Sequence, residues 1–574
     1  MNNKEIAQIL EEIGQMLELK GENPFKSRAY FNAARMIETY NRPLRELGGR
    51  VEIGKIKGIG TALVDKISRL LENGDLPYYH ELKASLPKGI MDLLKIPGLG
   101  AKKVGVIYDK LKISSVGELE YACMENRLRD LPGFGEKSQK KIFNSIQLFK
   151  KYSERFLYPV AYEAAEDLVA FLKDLDSITD IEIAGSLRRR KETIGDIDIV
   201  AACGDTERSE VMAHFVEYPG TADIEARGDT KSTIALKNGI KADLRLVSKN
   251  SFPFLLHHST GSKTHNTSLR DRARSRDLKL NEYGLFSGSK EISCANEAEI
   301  YRQLELSYIP PELREDYGEI EAAESGKLPD LYTGKPFFGH FHVHSIWSDG
   351  SNSLEEIARY CIGQGLQYVG ITDHSKSAFY ANGLKEDRIH AQHDEIDKLN
   401  EKLHPFHIFK GIESDILVNG DLDYSDNILS LFDFVIASVH SRLSLSREAM
   451  TARICNAVKH PAVSMLGHPT GRLLLAREAY QLDLQKVIET AAEYGKIIEI
   501  NANPYRLDLD WRDGRYAKKL GVKTSINPDA HALEGFSDCN YGIGIARKAW
   551  FAAEDILNTY DLQSVTAYLK KLKK

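Results

Sequence analysis

From residue 336 onward the chain repeats one pattern, a short apolar run followed by a histidine or carboxylate where the run ends. Tyr368-Val369-Gly370-Ile371 leads to His374, and Phe434-Val435-Ile436-Ala437 leads to His440. Such runs read as buried parallel strands, with segments like 354–364 and 484–494 as the helices between them. Strand ends in this alternation converge at one mouth of a β/α barrel. His342-Val343-His344 alternates on a strand, so both imidazoles face the same way. Asp349, His374, Glu413, His440, His468, Asp529 and His531 bring the ligand-type residues to nine. A lone histidine in such a place would more often be a satisfied structural residue, but nine in this rhythm point to metal. Six imidazoles, Glu413 and two aspartates suffice for two or three Zn²⁺ or Mn²⁺ ions, which would lower the pKa of a water and hold a phosphodiester for hydrolysis.

A second constellation lies upstream. In Ile194-Gly195-Asp196-Ile197-Asp198-Ile199-Val200 acidic and aliphatic residues alternate, so a strand there buries its isoleucines and aims Asp196 and Asp198 at one face. Lys241-Ala242-Asp243-Leu244-Arg245-Leu246 repeats the alternation and can supply Asp243 from a neighbouring strand. Hard oxygen ligands suit Mg²⁺ or Mn²⁺, and two such ions about 3.5–4 Å apart can clamp an in-line phosphoryl displacement. Gly185-Ser186-Leu187-Arg188-Arg189-Arg190 precedes the first pair. Backbone amides and a guanidinium fork there would bind phosphate oxygens.

Together these motifs resemble the nucleotidyltransferase palm of family X DNA polymerases. Thr260-Gly261-Ser262-Lys263-Thr264-His265-Asn266, Arg270 and Asn281-Glu282-Tyr283-Gly284-Leu285 extend the resemblance. It implies that Gly185, Ser186 and Arg189 hold an incoming triphosphate, that Gly261, Ser262 and Asn266 belong to the nucleotide-binding turn, and that Arg270 reaches the template minor groove. Where the family usually has Tyr-Phe before the Thr-Gly-Ser turn, this chain has His258-Ser259.

The amino-terminal third carries three copies of apolar-x-Gly-apolar-Gly: Ile56 to Gly60, Ile96 to Gly100 and Leu131 to Gly135. Gly58, Gly60, Gly98, Gly100, Gly133 and Gly135 would each help turn the chain into a helix whose first amides face outward. Such ends bind phosphate without reading sequence. The elements resemble helix-hairpin-helix motifs and predict nonspecific duplex binding. Residues 1–160 hold 27 Lys+Arg against 20 Asp+Glu in a chain of net charge −6, so the basic surplus lies at the amino end. The stretch around the first hairpin, including Asn23 to Tyr30, is similar to the small lyase domain of family X polymerases. That similarity places Lys66 as a Schiff-base nucleophile, an amine whose pKa neighbouring cations would lower, with Lys26 and Tyr30 as 5′-phosphate contacts; Ala62 stands where the family usually has a lysine.

The order His-x-His, Asp, His, Glu, His, His, Asp-x-His resembles the PHP phosphoesterase domain, a distorted (β/α)7 barrel with a trinuclear centre. By that resemblance the nine residues are its ligands; His340 stands where an aspartate commonly precedes the pair. Arg472 fits either a phosphate contact or a structural salt bridge.

The 574 residues then divide as follows. Residues 1–85 form a helical lyase-like domain and 86–150 a helical region with two further hairpins. The palm covers 151–235, and a nucleotide-selection subdomain containing the third aspartate covers 236–316. A polar linker, 317–335, leads to the barrel at 336–574. The fold class is thus multidomain, α+β and α/β. The implied function is gap-filling DNA repair synthesis, with Mn²⁺-dependent 3′–5′ exonuclease and abasic-site endonuclease or 3′-phosphatase chemistry in the barrel. Expected partners are gapped or primer-template DNA and deoxynucleoside triphosphates. One alternative is a phosphoesterase for small molecules tethered to a DNA-binding, polymerase-like module; another is a non-catalytic scaffold, which the crowded carboxylates oppose. No apolar run approaches the roughly 20 residues of a membrane helix, no signal peptide begins at Met1, and the six scattered cysteines outline neither a disulfide framework nor a zinc site. A cytoplasmic monomer without membrane contact is expected.

Overall fold

The computed structural model describes residues 1, 3–38, 40, 44–47, 49–56, 59–96, 98–129, 131–150 and 155–573. The chain forms two compact units, Met1–Lys150 and Lys151–Lys574. Helices α1 (Asn3–Leu19), α2 (Pro24–Glu38), α3 (Thr61–Asn73), α4 (Ala101–Leu111) and α5 (Glu136–Lys150) belong to the first. Ile6, Leu10, Ile13 and Leu17 recur every three or four residues along α1, all fully buried, and so form the stripe that packs the core.

In the second unit, β1 (Ile178–Ile183), β2 (Asp196–Cys203), β3 (Thr221–Ala226), β4 (Lys231–Leu236) and β5 (Lys241–Val247) form one sheet in the order β1-β2-β5-β4-β3. Helix α6 (Tyr158–Lys173) closes one face through Ala161, Ala165, Leu168 and Leu172, packed with Ile197 and Ile199 of β2. β5 pairs with β2 in parallel and with β4 antiparallel. The expected boundary at 235 therefore cuts through β4 and would part β5 from its own sheet; the sheet runs to Val247 because its third aspartate strand lies inside it.

Helix α7 (Lys263–Arg274) belongs to a separate cluster of Phe254, Leu269, Leu285, Ile300 and Leu304. The segment expected as a polar linker also joins this core. It contains α8 (Glu319–Glu324), whose Glu319 is fully buried 2.6 Å from His265 Nδ1, while Leu331 and Tyr332 are buried further on. Composition suggested a linker because glutamates dominate it, yet the first of them finds a buried imidazole.

The barrel strands are β6 (Gly339–Val343), β7 (Tyr368–Ile371), β8 (His407–Asp415), β9 (Phe434–Ser438), β10 (Met465–Leu466), β11 (Ile497–Asn501) and β12 (Thr524–Asn527). They pair in parallel in sequence order. A parallel bridge from Val343 to Ala530 ties the last strand's end to the first. Phe341, Tyr368, Phe434, Met465 and Ile497 fill the interior, fully buried. Helices α9 (Leu354–Gly363), α10 (Leu484–Glu493) and α11 (Cys539–Lys548) lie between or after the strands. The β/α barrel expected from the apolar runs, in the (β/α)7 form implied by the PHP resemblance, is what forms. All six cysteines are free and buried, and among the described residues no helix is long and apolar enough to cross a membrane.

Candidate active sites

Along β2 the alternation resolves as expected: Ile197 and Ile199 are buried, Asp196 is exposed and Asp198 half-buried. Asp198 is the direct register partner of Asp243 on β5, so the two carboxylates stand side by side at the strand spacing of about 4.8 Å. Burial, together with Asp196 and Asp243, pushes the Asp198 carboxyl up to about 6. A crowded trio of this kind favours a cation. Asp243 is held in place by Thr233 Oγ1, which donates to it at 2.6 Å, and by Lys231 Nζ at 2.6 Å. Sequence reading missed both; each sits on β4 facing Asp243, a relation visible only once the strands are paired.

Gly185 has φ +62°, and a Cβ there would lie 2.0 Å from Asp198 Oδ2, so this turn reaches the carboxylates only with glycine. Past it, Arg188 Nη1 donates to Thr260 Oγ1 at 2.7 Å, and the Arg189 guanidinium donates to the Thr260 carbonyl. The two loops expected to bind nucleotide are thereby joined, with Gly261 against Arg189. Arg189 Nε also pairs with Glu315 at 3.2 Å. Ser262 caps α7, its hydroxyl accepting from His265 N–H at 3.2 Å. Asn266 Nδ2 donates to the His258 carbonyl at 2.8 Å, leaving its buried Oδ1 without a hydrogen-bond partner. Arg270 Nε donates to the Asn266 carbonyl at 3.2 Å on its own helix, and Nη2 donates to Thr267 Oγ1 at 3.4 Å.

All nine barrel residues converge. His344, Asp349, His374 and His531 offer ligand atoms within 4.8 Å of one another, as do three further sets: His342, Glu413 and His468; His342, His344 and Asp529; and His374, Glu413 and His440. Glu413 Oε1 lies 2.9 Å from His468 Nε2 and 3.2 Å from both His342 Nε2 and His440 Nε2. Burial alone would raise the Glu413 pKa, but His440, His342 and His374 outweigh it and hold the carboxyl well below the usual range. His344 is driven down to about 4 by burial and by neighbouring His531 and His374, so it stays a neutral donor. Buried Asp349 Oδ2 has no hydrogen-bond partner. Clustered imidazoles, ionised carboxylates and this unsatisfied oxygen fit divalent metal ions.

Further carboxylates orient the imidazoles, and sequence reading missed them. Glu499 Oε1 lies 2.5 Å from His342 Nδ1, and its Oε2 accepts from His468 N–H at 2.7 Å. Asp415 Oδ1 lies 2.5 Å from His440 Nδ1. Such partners set tautomer and ring orientation. The one available signal was spacing: Asp415 stands two residues after Glu413, and Glu499 interrupts an aliphatic strand. Arg472 proves structural, paired with Asp510 at 2.7 Å and with the carbonyls of Arg506 and Leu507. His340 is buried, and burial drives it down to about 3.

In the amino-terminal unit, Gly98 (φ +90°) and Gly133 (φ +82°) take the left-handed conformation that the turns require. Gly60 and Gly100 start α3 and α4 without a side-chain cap, Gly135 directly precedes α5, and Ile59 and Leu99 are buried as core plugs. Gly58 lies outside the described residues. Lys66, half-buried on α3, has its pKa lowered by burial and by Lys26, and its Nζ sits 5.0 Å from the Tyr78 ring centre. Lys26 is exposed, 3.5 Å from Glu22. Tyr30, expected at a phosphate, is buried instead, its hydroxyl bonded to that of Tyr78. The ring lies on the core face of α2, where apolar packing claims it.

A helix-hairpin-helix domain profile matches residues 1–76, a SAM-like helix-hairpin-helix tandem 90–147, the DNA polymerase beta thumb 255–315 and the PHP domain 340–503. The DNA polymerase/3′-5′ exonuclease PolX of Bacillus subtilis (strain 168) is 38% identical over 576 residues, 100% of both chains. A probable phosphatase of Thermoanaerobacter sp. (strain X514) is 32% identical over 253 residues, 41% of this chain and 94% of that protein. One from Caldanaerobacter subterraneus subsp. tengcongensis is 30% identical over 250 residues, 41% of this chain and 91% of its own length. With palm, thumb, hairpins and a barrel gathering nine His, Asp and Glu side chains in one chain, and full-length similarity to PolX, the protein belongs to the family X DNA polymerases that carry a carboxy-terminal PHP domain.

Proposed function

We propose that this chain fills short gaps in DNA from the palm and removes nucleotides from 3′ ends in the barrel. The pairing of Asp198 with Asp243 across adjacent parallel strands carries the first half; the convergence of nine ligands at one mouth carries the second. In the palm, Asp196, Asp198 and Asp243 would hold two Mg²⁺ or Mn²⁺ ions, with Asp243 on the side of the primer 3′-hydroxyl. Gly185, Ser186 and Arg189 would receive the triphosphate, and Gly261, Ser262 and Asn266 the nucleotide. In the barrel the nine ligands would hold two to three Mn²⁺ or Zn²⁺ ions. When bound, such ions supply Lewis acidity at phosphate oxygens and a lowered pKa for the attacking hydroxyl or water. The chain's own part is to fix the carboxylates in register and to orient the barrel imidazoles through Glu499 and Asp415. Hairpin glycines at 60, 98, 100, 133 and 135 would place helix starts against DNA phosphates, and Lys66, with its lowered pKa, would serve as a lyase nucleophile.

A DNA substrate with a one-nucleotide gap and a 5′-phosphate tests both halves on one gel. Primer extension is expected with deoxynucleotides and Mg²⁺ or Mn²⁺, and primer shortening with Mn²⁺ alone. No extension under any condition would refute the palm assignment. A second reading, in which the barrel acts on small phosphomonoesters, is favoured by the probable phosphatases that match it alone. It predicts faster turnover of a free sugar phosphate than of the labelled 3′ end.

A further inference from the structure

The loop that carries Arg189 is braced from the barrel. Glu315 sits among three cations: Lys548 Nζ at 2.9 Å, Lys191 Nζ at 3.1 Å and Arg189 Nε at 3.2 Å. Burial opposes ionisation of Glu315, but Lys548, Arg189 and Lys191 outweigh it and hold the carboxyl down to about 2. Lys548 comes from the last turn of α11 and is only 1% exposed. Its ammonium also donates to the carbonyl of Arg189 at 2.9 Å and to that of Glu312 at 3.2 Å. The contact continues along one stripe of α11, at intervals of four residues. The Asn540 carbonyl accepts from Arg190 Nη1 at 3.3 Å, and a Cβ on Gly544 would approach Arg190 Cδ to 2.9 Å. The same helix begins eight residues after His531 in sequence and ends against the palm loop at Arg189.

We propose that Lys548 is a positioning residue for nucleotide binding in the palm: the hydrolytic domain supplies the cation that orients Arg189 toward an incoming triphosphate. The inference rests on the reading of Arg189 as a triphosphate ligand. With Lys548 present, Glu315 is neutralised from the barrel side and the Arg189 peptide is held by its carbonyl. Without it, the buried carboxylate is shared by Arg189 and Lys191 alone. It then draws the guanidinium away from phosphate and offsets more of its charge.

Single-nucleotide gap filling by the full chain tests this, with deoxynucleotide KM and kcat measured for Lys548→Met, Lys548→Arg, Gly544→Ala and Arg189→Ala, and hydrolysis of a labelled single strand as a parallel readout. Lys548→Met should raise the nucleotide KM about tenfold, within the usual range of coupling between sites, with kcat changed less than about twofold and strand hydrolysis unaltered. Lys548→Arg should recover part of the loss. Gly544→Ala, which pushes the same loop without removing a charge, should raise KM about threefold, a smaller coupling. If Arg189→Ala raises KM while neither Lys548→Met nor Gly544→Ala does, the inference fails and the triphosphate assignment stands. If Arg189→Ala leaves KM unchanged, the triphosphate assignment itself fails. Loss of kcat and hydrolysis together in the Lys548 and Gly544 variants would mark the contact as structural only and also overturn the proposal.

Discussion

The palm and the barrel both gather acidic groups for cations, but they prepare them differently. In the palm, Asp196 is exposed and Asp198 half-buried, and the support for Asp243 is one lysine and one threonine. In the barrel, His342, Glu413, His468 and Asp529 are almost wholly buried, and Glu499 and Asp415 fix the imidazoles behind them. An open edge leaves coordination positions for substrate phosphates. A buried, braced cluster holds its geometry before substrate arrives. The palm is thus left for substrate to complete, whereas the barrel is already built.

The sharpest way to break this contrast is to remove one ligand from each site. Asp243→Asn should lower primer extension by at least about 10³-fold while strand hydrolysis persists, and His344→Ala should do the reverse. If both activities fell in either variant, on one gel with gapped and single-stranded DNA, the two sites would not be separate.

Gly185→Ala probes how tightly the palm's open edge is bounded. Its Cβ would overlap Asp198 Oδ2 at a left-handed backbone position, so extension should drop roughly 10²-fold, as misplacement of reacting groups does, with hydrolysis unaffected. Steady-state rates for both activities check it.

Glu499→Gln sharpens the other side. A braced barrel should lose metal affinity by about 10–100-fold, measured by metal titration of the full chain, and excess Mn²⁺ should restore hydrolysis. Unchanged affinity would mean that the second carboxylate layer is incidental.

Electrostatic crowding predicts a smaller effect. In metal-free protein Asp198 has its pKa raised to about 6 by burial and by its two acidic neighbours. Folded-state protonation is thus favoured relative to the unfolded chain, so the ionised group costs stability above about pH 6 and the cost fades as pH falls toward 4. Asp198→Asn should stabilise the chelator-treated protein by about 1–3 kcal/mol at pH 8, with the gain shrinking at pH 5 in thermal melts.

Several features were legible because a local pattern carried them. Alternation alone placed Ile197 and Ile199 inward and Asp196 and Asp198 outward, and apolar runs ending in histidine announced the barrel strands. What stayed hidden depended on pairing across the fold. Lys231 faces Asp243 only because β4 lies beside β5. Glu499, inside Ile497-Ile498-Glu499-Ile500, has no visible reason to be buried until His342 is placed 157 residues away in sequence. Glu319 read as linker charge for the same reason, and Tyr30 read as a phosphate contact because a motif names neighbours without saying which face of the helix they take.

The claim that two distinct cation centres exist is tested most directly by anomalous diffraction from crystals of the full chain grown with Mn²⁺. The account predicts density between Asp198 and Asp243, and separately two or three peaks among His342, His344, Asp349, His374, Glu413, His440, His468, Asp529 and His531. Peaks confined to one of these places, or lying away from both, would contradict it.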